Sequence, residues 1–172
     1  MFRQEPVIQI SRGRNARGFT LIELSVVMMI IAIVAAFVVP QAMAYMRMYR
    51  LGVAARDVAT ALQRARFLAT SNNTRAGIFI PQPQRVDIEQ YDPEGKVEPQ
   101  LKGAVQMPQG VIIASDAPKQ IAFDGRGVVT PMPKESPSIR INGASGYYLF
   151  VTVSPTGQVT VSEAKQEDES RP

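Results

Sequence analysis

The sequence predicts an α+β protein: a long N-terminal helix, one half transmembrane and one half amphipathic, packed on an antiparallel β-sheet or β-sandwich head. Three observations carry that prediction. Residues Phe19–Val39 form a run of 21 residues with a single charge. Leu51, Ala55, Val58, Leu62, Ala65 and Ala69 then recur at steps of four and three, which lines them on one helical face. From Gly77 onward the texture changes to short β-rich runs, with ten Pro between Pro81 and Pro155. A helix with a free apolar stripe, followed by seven or eight short strands, is satisfied by antiparallel sheets wrapped on that stripe.

Length and composition narrow the chemistry. The chain has 172 residues, 45% of them hydrophobic, and contains no Cys, His or Trp, which suits about one packed domain. Without Cys there are no disulfides, thiolate nucleophiles or Cys-based zinc sites. Without His the commonest metal ligand and the usual neutral-pH base are gone. The net charge of +4 divides unevenly. Residues 1–18 carry four Arg against Glu5, giving +3, and residues 19–75 carry six Arg against Glu23 and Asp57, giving +4. Residues 76–172 carry four Arg and five Lys against twelve acids, giving −3. Such asymmetry points to targeting or membrane contact, and an acidic head gives no general support for nucleic-acid binding.

Taken in order, residues 1–18 read as a basic leader and 19–39 as a membrane span, because 21 helical residues cover roughly 30 Å of hydrocarbon. Ala42-Met43-Ala44 also matches the small-x-small cleavage pattern of a secretory signal, although the apolar run exceeds the usual h-region. A plain signal anchor explains the span but leaves Glu23 without a purpose. An ionised acid inside hydrocarbon costs on the order of 2 kcal/mol or more unless it is paired or near the interface. Both readings of Glu23, functional charge and hydrated edge residue, are open at this point. Pro40 predicts a kink or a short unwound stretch, or simply marks the membrane exit. Residues 40–75 continue the helix as its amphipathic half, and Ser71-Asn72-Asn73 supplies turn formers to end it.

Residues 76–163 form the β-rich head. Predicted strands are Gly77–Ile80, Arg85–Tyr91, Val111–Ala114, Gln120–Phe123, Gly127–Thr130, Ser138–Ile141, Tyr147–Ser154 and Gln158–Val161, the last two a hairpin around Pro155-Thr156-Gly157. Residues 92–109 read as a long loop, and the tail 164–172 as disordered.

Arg14-Asn15-Ala16-Arg17-Gly18 followed by Phe19-Thr20-Leu21-Ile22-Glu23-Leu24 resembles the type III signal of type IV pilins and type II secretion pseudopilins. Within that superfamily, three segments resemble the H-type minor pseudopilins and the related FimT pilins (the GspH/FimT family): Ala55–Arg66, Ile121–Gly127 and Val153–Gly157. The resemblance implies the lollipop fold of pilins, with Pro40 at the place where such chains often carry a proline. It also implies cleavage after Gly18 by a prepilin peptidase and N-methylation of Phe19. Glu23 would pair with the N-terminal amine of a neighbouring subunit during filament assembly. The implied partners are other pseudopilins or pilins, the peptidase/methyltransferase, an inner-membrane assembly platform and the lipid bilayer. The implied location is the bacterial inner membrane, single-pass, with the N-terminus cytoplasmic and the head periplasmic. The implied role is that of a structural subunit of the type II secretion pseudopilus, which exports folded proteins across the outer membrane. The alternative is a FimT-like minor pilin for pilus assembly or DNA uptake.

No enzyme, cofactor or metal is expected. Gly125-Arg126-Gly127 reads as a hairpin turn and not a phosphate loop. Ser162-Glu163-Ala164-Lys165 spells Ser-x-x-Lys without a setting that would activate the serine. Asp87, Asp92 and Glu94 lack the ligand spacing of a calcium loop. The Gly-Arg-x-Arg clamp of DNA-binding FimT pilins has Gly157-Gln158-Val159-Thr160 in its place, with both arginines missing. Intact mass spectrometry of the chain from membranes should give a mature N-terminus at monomethylated Phe19; a start at Tyr45 would restore the ordinary signal peptide.

Overall fold

The computed structural model describes residues 18–91 and 97–167. One helix, α1 (Leu21–Asn72), is followed by ten strands: β1 (Ala76–Gln82), β2 (Arg85–Tyr91), β3 (Val97–Gln106), β4 (Ile112–Ile113), β5 (Gln120–Phe123), β6 (Val129–Thr130), β7 (Ser138–Asn142), β8 (Tyr147–Val153), β9 (Val159–Val161) and β10 (Lys165–Gln166). All strand pairings are antiparallel. Contacts divide the chain into two units that meet within α1, Met1–Gln41 and Ala42–Pro172.

The described part of the first unit is Gly18–Thr20 and the N-terminal part of α1. Each of its described residues is exposed, including the whole Phe19–Val39 run, so its apolar surface has no counterpart among the described residues. The helical assignment passes through Pro40. Of the two forms predicted for this position, the unwound stretch is therefore not seen. Proline removes one hydrogen bond, and residues on either side keep their helical assignment.

In the second unit the stripe is buried as the spacing predicts, and Ala54, Ala59 and Ala61 widen it. Six of its nine buried residues are Ala, which lets the helix lie close to its sheets. The helix ends at Asn73, whose φ of 49° is left-handed. There the Thr74 N–H donates back to the Ala69 carbonyl at 3.1 Å, a Schellman closure.

One five-stranded sheet runs β3-β2-β1-β5-β6, and the other runs β10-β8-β7-β4 with β9 also on β8. Ile78, Val86, Ile88, Ile121 and Phe123 from the first join Ile113, Ile139, Ile141, Leu149, Val151 and Val153 from the second, and with the helical stripe they make one core. Burial alternates along β7 and β8, as a half-buried sheet requires. The β8–β9 hairpin has the register Val151↔Val161 and Val153↔Val159.

Two expectations fail. The loop predicted over 92–109 is in large part β3, which pairs with β2 from Val97↔Tyr91 to Gln106↔Arg85 across a register shift. Gly103, Lys102 and Pro99 hide the strand from a propensity reading. Proline is tolerated because β3 is an edge strand that pairs only with β2. Residues 92–96 lie outside the described residues. Nor is the start of the tail disordered. Lys165 and Gln166 pair with Tyr148 and Tyr147, the Glu167 N–H donates to the Gly146 carbonyl at 2.8 Å, and the Glu167 carboxylate bridges Arg140 at 2.9 Å. A charged sequence that avoids burial can still complete a sheet edge. The rest of the tail, 168–172, lies outside the described residues.

Two glycines in this fold should respond in opposite directions. Gly157 has φ of 83°, and a Cβ there would run into the Gly127 carbonyl and the Arg66 Nε. Gly157→Ala should therefore cost about 2 kcal/mol or more. Gly52 sits in the helix with nothing within 4 Å of a Cβ, so Gly52→Ala should stabilise by about 0.5–1 kcal/mol. Thermal melts of the detergent-solubilised chain check both signs.

Candidate assembly site

Each local feature at the start of α1 follows from its residue. Thr20 is the N-cap: its Oγ1 accepts the Glu23 N–H at 3.2 Å, and its carbonyl accepts the Leu24 N–H at 3.1 Å. Thr20-Leu21-Ile22-Glu23 is the Thr-x-x-Glu spacing of a capping box, a signal present in the sequence itself. Glu23 thus falls in the first helical turn, where the unpaired N–H groups and the helix dipole favour a carboxylate. Among the described residues its carboxylate has no partner, and its neighbours along the helix are exposed apolar side chains. Gly18 is exposed, and a Cβ on it would meet nothing within 4 Å. The fold of this chain therefore does not demand glycine there. Phe19 is 84% exposed. The arginines of the leader, Arg14 and Arg17, lie outside the described residues.

A second cluster joins the three segments that carried the head resemblance. Arg66, from the helix, donates through Nε to the Gly127 carbonyl and through Nη2 to the Thr156 carbonyl, each at 3.1 Å. The Val129 N–H reaches the Pro155 carbonyl at 3.0 Å across the same joint. Gly127 and Gly157, both at positive φ, leave the space that the guanidinium fills. Gly125-Arg126-Gly127 is the β5–β6 turn, as the sequence predicts. Asp124 organises it by accepting the Arg126 and Val128 N–H groups at 3.0 Å and the Arg126 guanidinium at 3.0 Å. No sequence signal singled out Arg66, because its partners are backbone carbonyls 61 and 90 residues away.

The remaining candidates are occupied structurally. Ser162 Oγ accepts the Phe150 N–H at 2.9 Å and donates to the Glu163 carbonyl, which engages both of its functions. Asp87 is bridged to Arg85 at 2.7 Å, while Asp92 and Glu94 lie outside the described residues. At the position of the missing DNA clamp, the Gln158 N–H bonds Ser154 Oγ within the hairpin. Among the described residues the guanidinium bonded to that turn is Arg66, which is spent on carbonyls.

An apolar helix long enough to cross a membrane, leading into a helix-backed pair of antiparallel sheets, defines a membrane-anchored pilin-like subunit. Residues 13–39 match the prokaryotic N-terminal methylation motif, and residues 54–167 match the family described as type II transport protein GspH. The chain belongs to the GspH family, and by that membership it is a minor pseudopilin. No curated protein matches the sequence. Among solved structures it is similar to the type IV minor pilin FimU of Pseudomonas aeruginosa strain PAO1, at 18% identity and TM-score 0.55, over 67% of this chain and 92% of that one. It is also similar to the minor pseudopilin EpsH from the type 2 secretion system of Vibrio cholerae, at 14% identity and TM-score 0.52, over 66% and 96%. At these identities the likeness is one of fold.

The Asp124 carboxyl is held below the usual carboxylate range, first by the Val128 N–H and then by Arg126, against the opposing effect of burial. A depressed folded value means that the carboxylate stabilises the fold at neutral pH and loses that contribution as pH falls through the folded value. Wild type should therefore exceed Asp124→Asn in stability at neutral pH, and the gap should close below about pH 4. Denaturant melts across pH check this.

Proposed function

We propose that the chain is a structural, non-catalytic subunit added to the type II secretion pseudopilus by charge pairing within the membrane. The observation that carries the reading is the methylation motif over 13–39 followed by the GspH match over 54–167, with Glu23 as the only charge in the exposed apolar run 19–39. In this reading a prepilin peptidase removes residues 1–18 on the cytoplasmic side and methylates Phe19, residues 19–39 span the inner membrane, and residues 76–163 lie in the periplasm. Gly18 supports the cleavage step, since open space around it leaves its lack of a side chain to be used by an outside protein. Basic residues before the span favour a cytoplasmic N-terminus.

The new ammonium on Phe19 and the carboxylate of Glu23 belong to different subunits in this scheme. Each alone is penalised in hydrocarbon, and together they attract far more strongly than in water. A subunit docked in register satisfies both charges, and one docked out of register satisfies neither. The DNA-uptake alternative has less support, because both clamp arginines are absent and Arg66 is already engaged by backbone.

Glu23→Leu should insert and be cleaved as wild type does, yet its recovery with partner pilins should fall at least about tenfold, in keeping with a penalty of about 2 kcal/mol for an unpaired charge. Co-purification of Glu23→Leu with its partners at wild-type yield would remove the pairing role.

A further inference from the structure

Exposed apolar side chains continue beyond the 21-residue run. Past Pro40, Met43 is 58% exposed, Tyr45 73%, Met46 48% and Tyr49 57%, and burial sets in only at Leu51. The segment Met43-Ala44-Tyr45-Met46-Arg47-Met48-Tyr49-Arg50 combines aromatic and thioether side chains with two arginines and no acid. Tyr45 and Tyr49, four residues apart, share a helical face, and the 3.6-residue period turns it away from Leu51 and Val58 of the buried stripe, by about 120–140° at Tyr45 and about 160–180° at Tyr49. A solvated connector has no need of two tyrosines and three methionines, and a core-facing one would bury them. Exposed tyrosine beside arginine suits the membrane–water interface. There the ring lies at headgroup level with its hydroxyl wet, and the guanidinium reaches phosphate while its stem stays among acyl chains.

The length agrees. Leu21 through Tyr49 is 29 residues of one helix, roughly 43 Å, close to the thickness of a bilayer core plus both headgroup layers. We propose that Met43–Arg50 is an interfacial belt that binds the phosphate layer of phospholipid and sets the depth of the helix. In the resting subunit Glu23 then lies in the opposite headgroup layer. The inference rests on the membrane-anchor reading above. With Tyr45 at the outer boundary of the hydrocarbon, about 20 residues of helix span it and end near Ser25, so Glu23 stays within reach of water. Its charge becomes costly when the subunit is drawn toward the periplasm by even one turn, about 5.4 Å, and the paired ammonium is needed at that step.

The chain contains neither Trp nor Cys, so one introduced residue reports alone. Full-length Tyr49→Trp and Ile33→Trp would be placed singly in nanodiscs of phosphatidylethanolamine and phosphatidylglycerol, where no neighbouring pilin helix can cover the belt. The lipids would be brominated either near the headgroup or near the acyl terminus. Trp at 49 should be quenched at least about twofold more by the shallow bromine, and Trp at 33 by the deep one. Because the thiolate is the reactive form and is suppressed in hydrocarbon, Glu23→Cys should react with a water-soluble maleimide at least about tenfold faster than Ile33→Cys. An unquenched Trp at 49 with a deep Trp at 33 would overturn the belt while leaving the anchor intact. An unquenched Trp at 33 would overturn the anchor and the belt with it. Glu23→Cys as slow as Ile33→Cys would overturn the assigned depth.

Discussion

The carboxylate of Glu23 is the single charge among the exposed apolar side chains of residues 19–39, a setting that tolerates it only while it is hydrated or paired. Among the described residues of the head, no polar side-chain atom is buried without a partner. The head is thus complete by itself: its helical stripe is covered, its turns are closed by Asp124 and Arg66, and its charged tail is tied to Arg140. The anchor is not. Among the described residues it presents uncovered apolar surface and a single acid, and none of them covers the surface or pairs the acid. The division between a self-satisfied head and an unsatisfied anchor is what the physics of a polymer subunit requires.

Arg66 shows how the head reaches that completeness with few polar contacts. Its guanidinium bonds carbonyls from two turns that belong to different sheets, and the half-helix that carries it supplies the apolar stripe beneath both. Helix and two sheets are therefore fixed to one another at a point where each has backbone acceptors to satisfy. The glycines at 127 and 157 are needed because the guanidinium and the facing carbonyl occupy the space a Cβ would take. A lysine could not serve both turns, since it lacks the planar fork that addresses two acceptors at once.

Legibility followed the source of each signal. The stripe from Leu51 to Ala69, strands β2 and β5 and the β8–β9 hairpin were readable because periodicity and turn residues act locally. Strand β3 is hidden because Val97, Leu101 and Val105 recur only every fourth residue, with Pro99 and Gly103 at the positions between that a strand would fill with apolar side chains, so the segment argues for a loop unless it is known to be an edge. β10 was missed because its pairing comes from the free edge of β8 and from Arg140, and not from its own composition. The Thr20 cap could have been read from its spacing to Glu23. The Arg66 joint could not, since backbone carbonyls leave no residue-type signature.

A 21-residue apolar run fixes that a helix can span a bilayer but leaves its depth free by several residues, because Leu, Ile and Val are nearly interchangeable against lipid. Depth is set instead by residues that prefer one layer, and on this helix those are Thr20 and Glu23 at one end and Tyr45, Arg47, Tyr49 and Arg50 at the other. Their separation exceeds the hydrocarbon thickness and approaches that of the whole membrane. Both polar ends can be wet together only in one register, and any upward displacement trades hydration of Glu23 for exposure of the tyrosine belt. With the belt proposed above, the helix would have a defined resting position from which removal is opposed by a single charge. In the assembly proposed above, a cation presented by a neighbouring subunit would lower that barrier at the place where the filament grows.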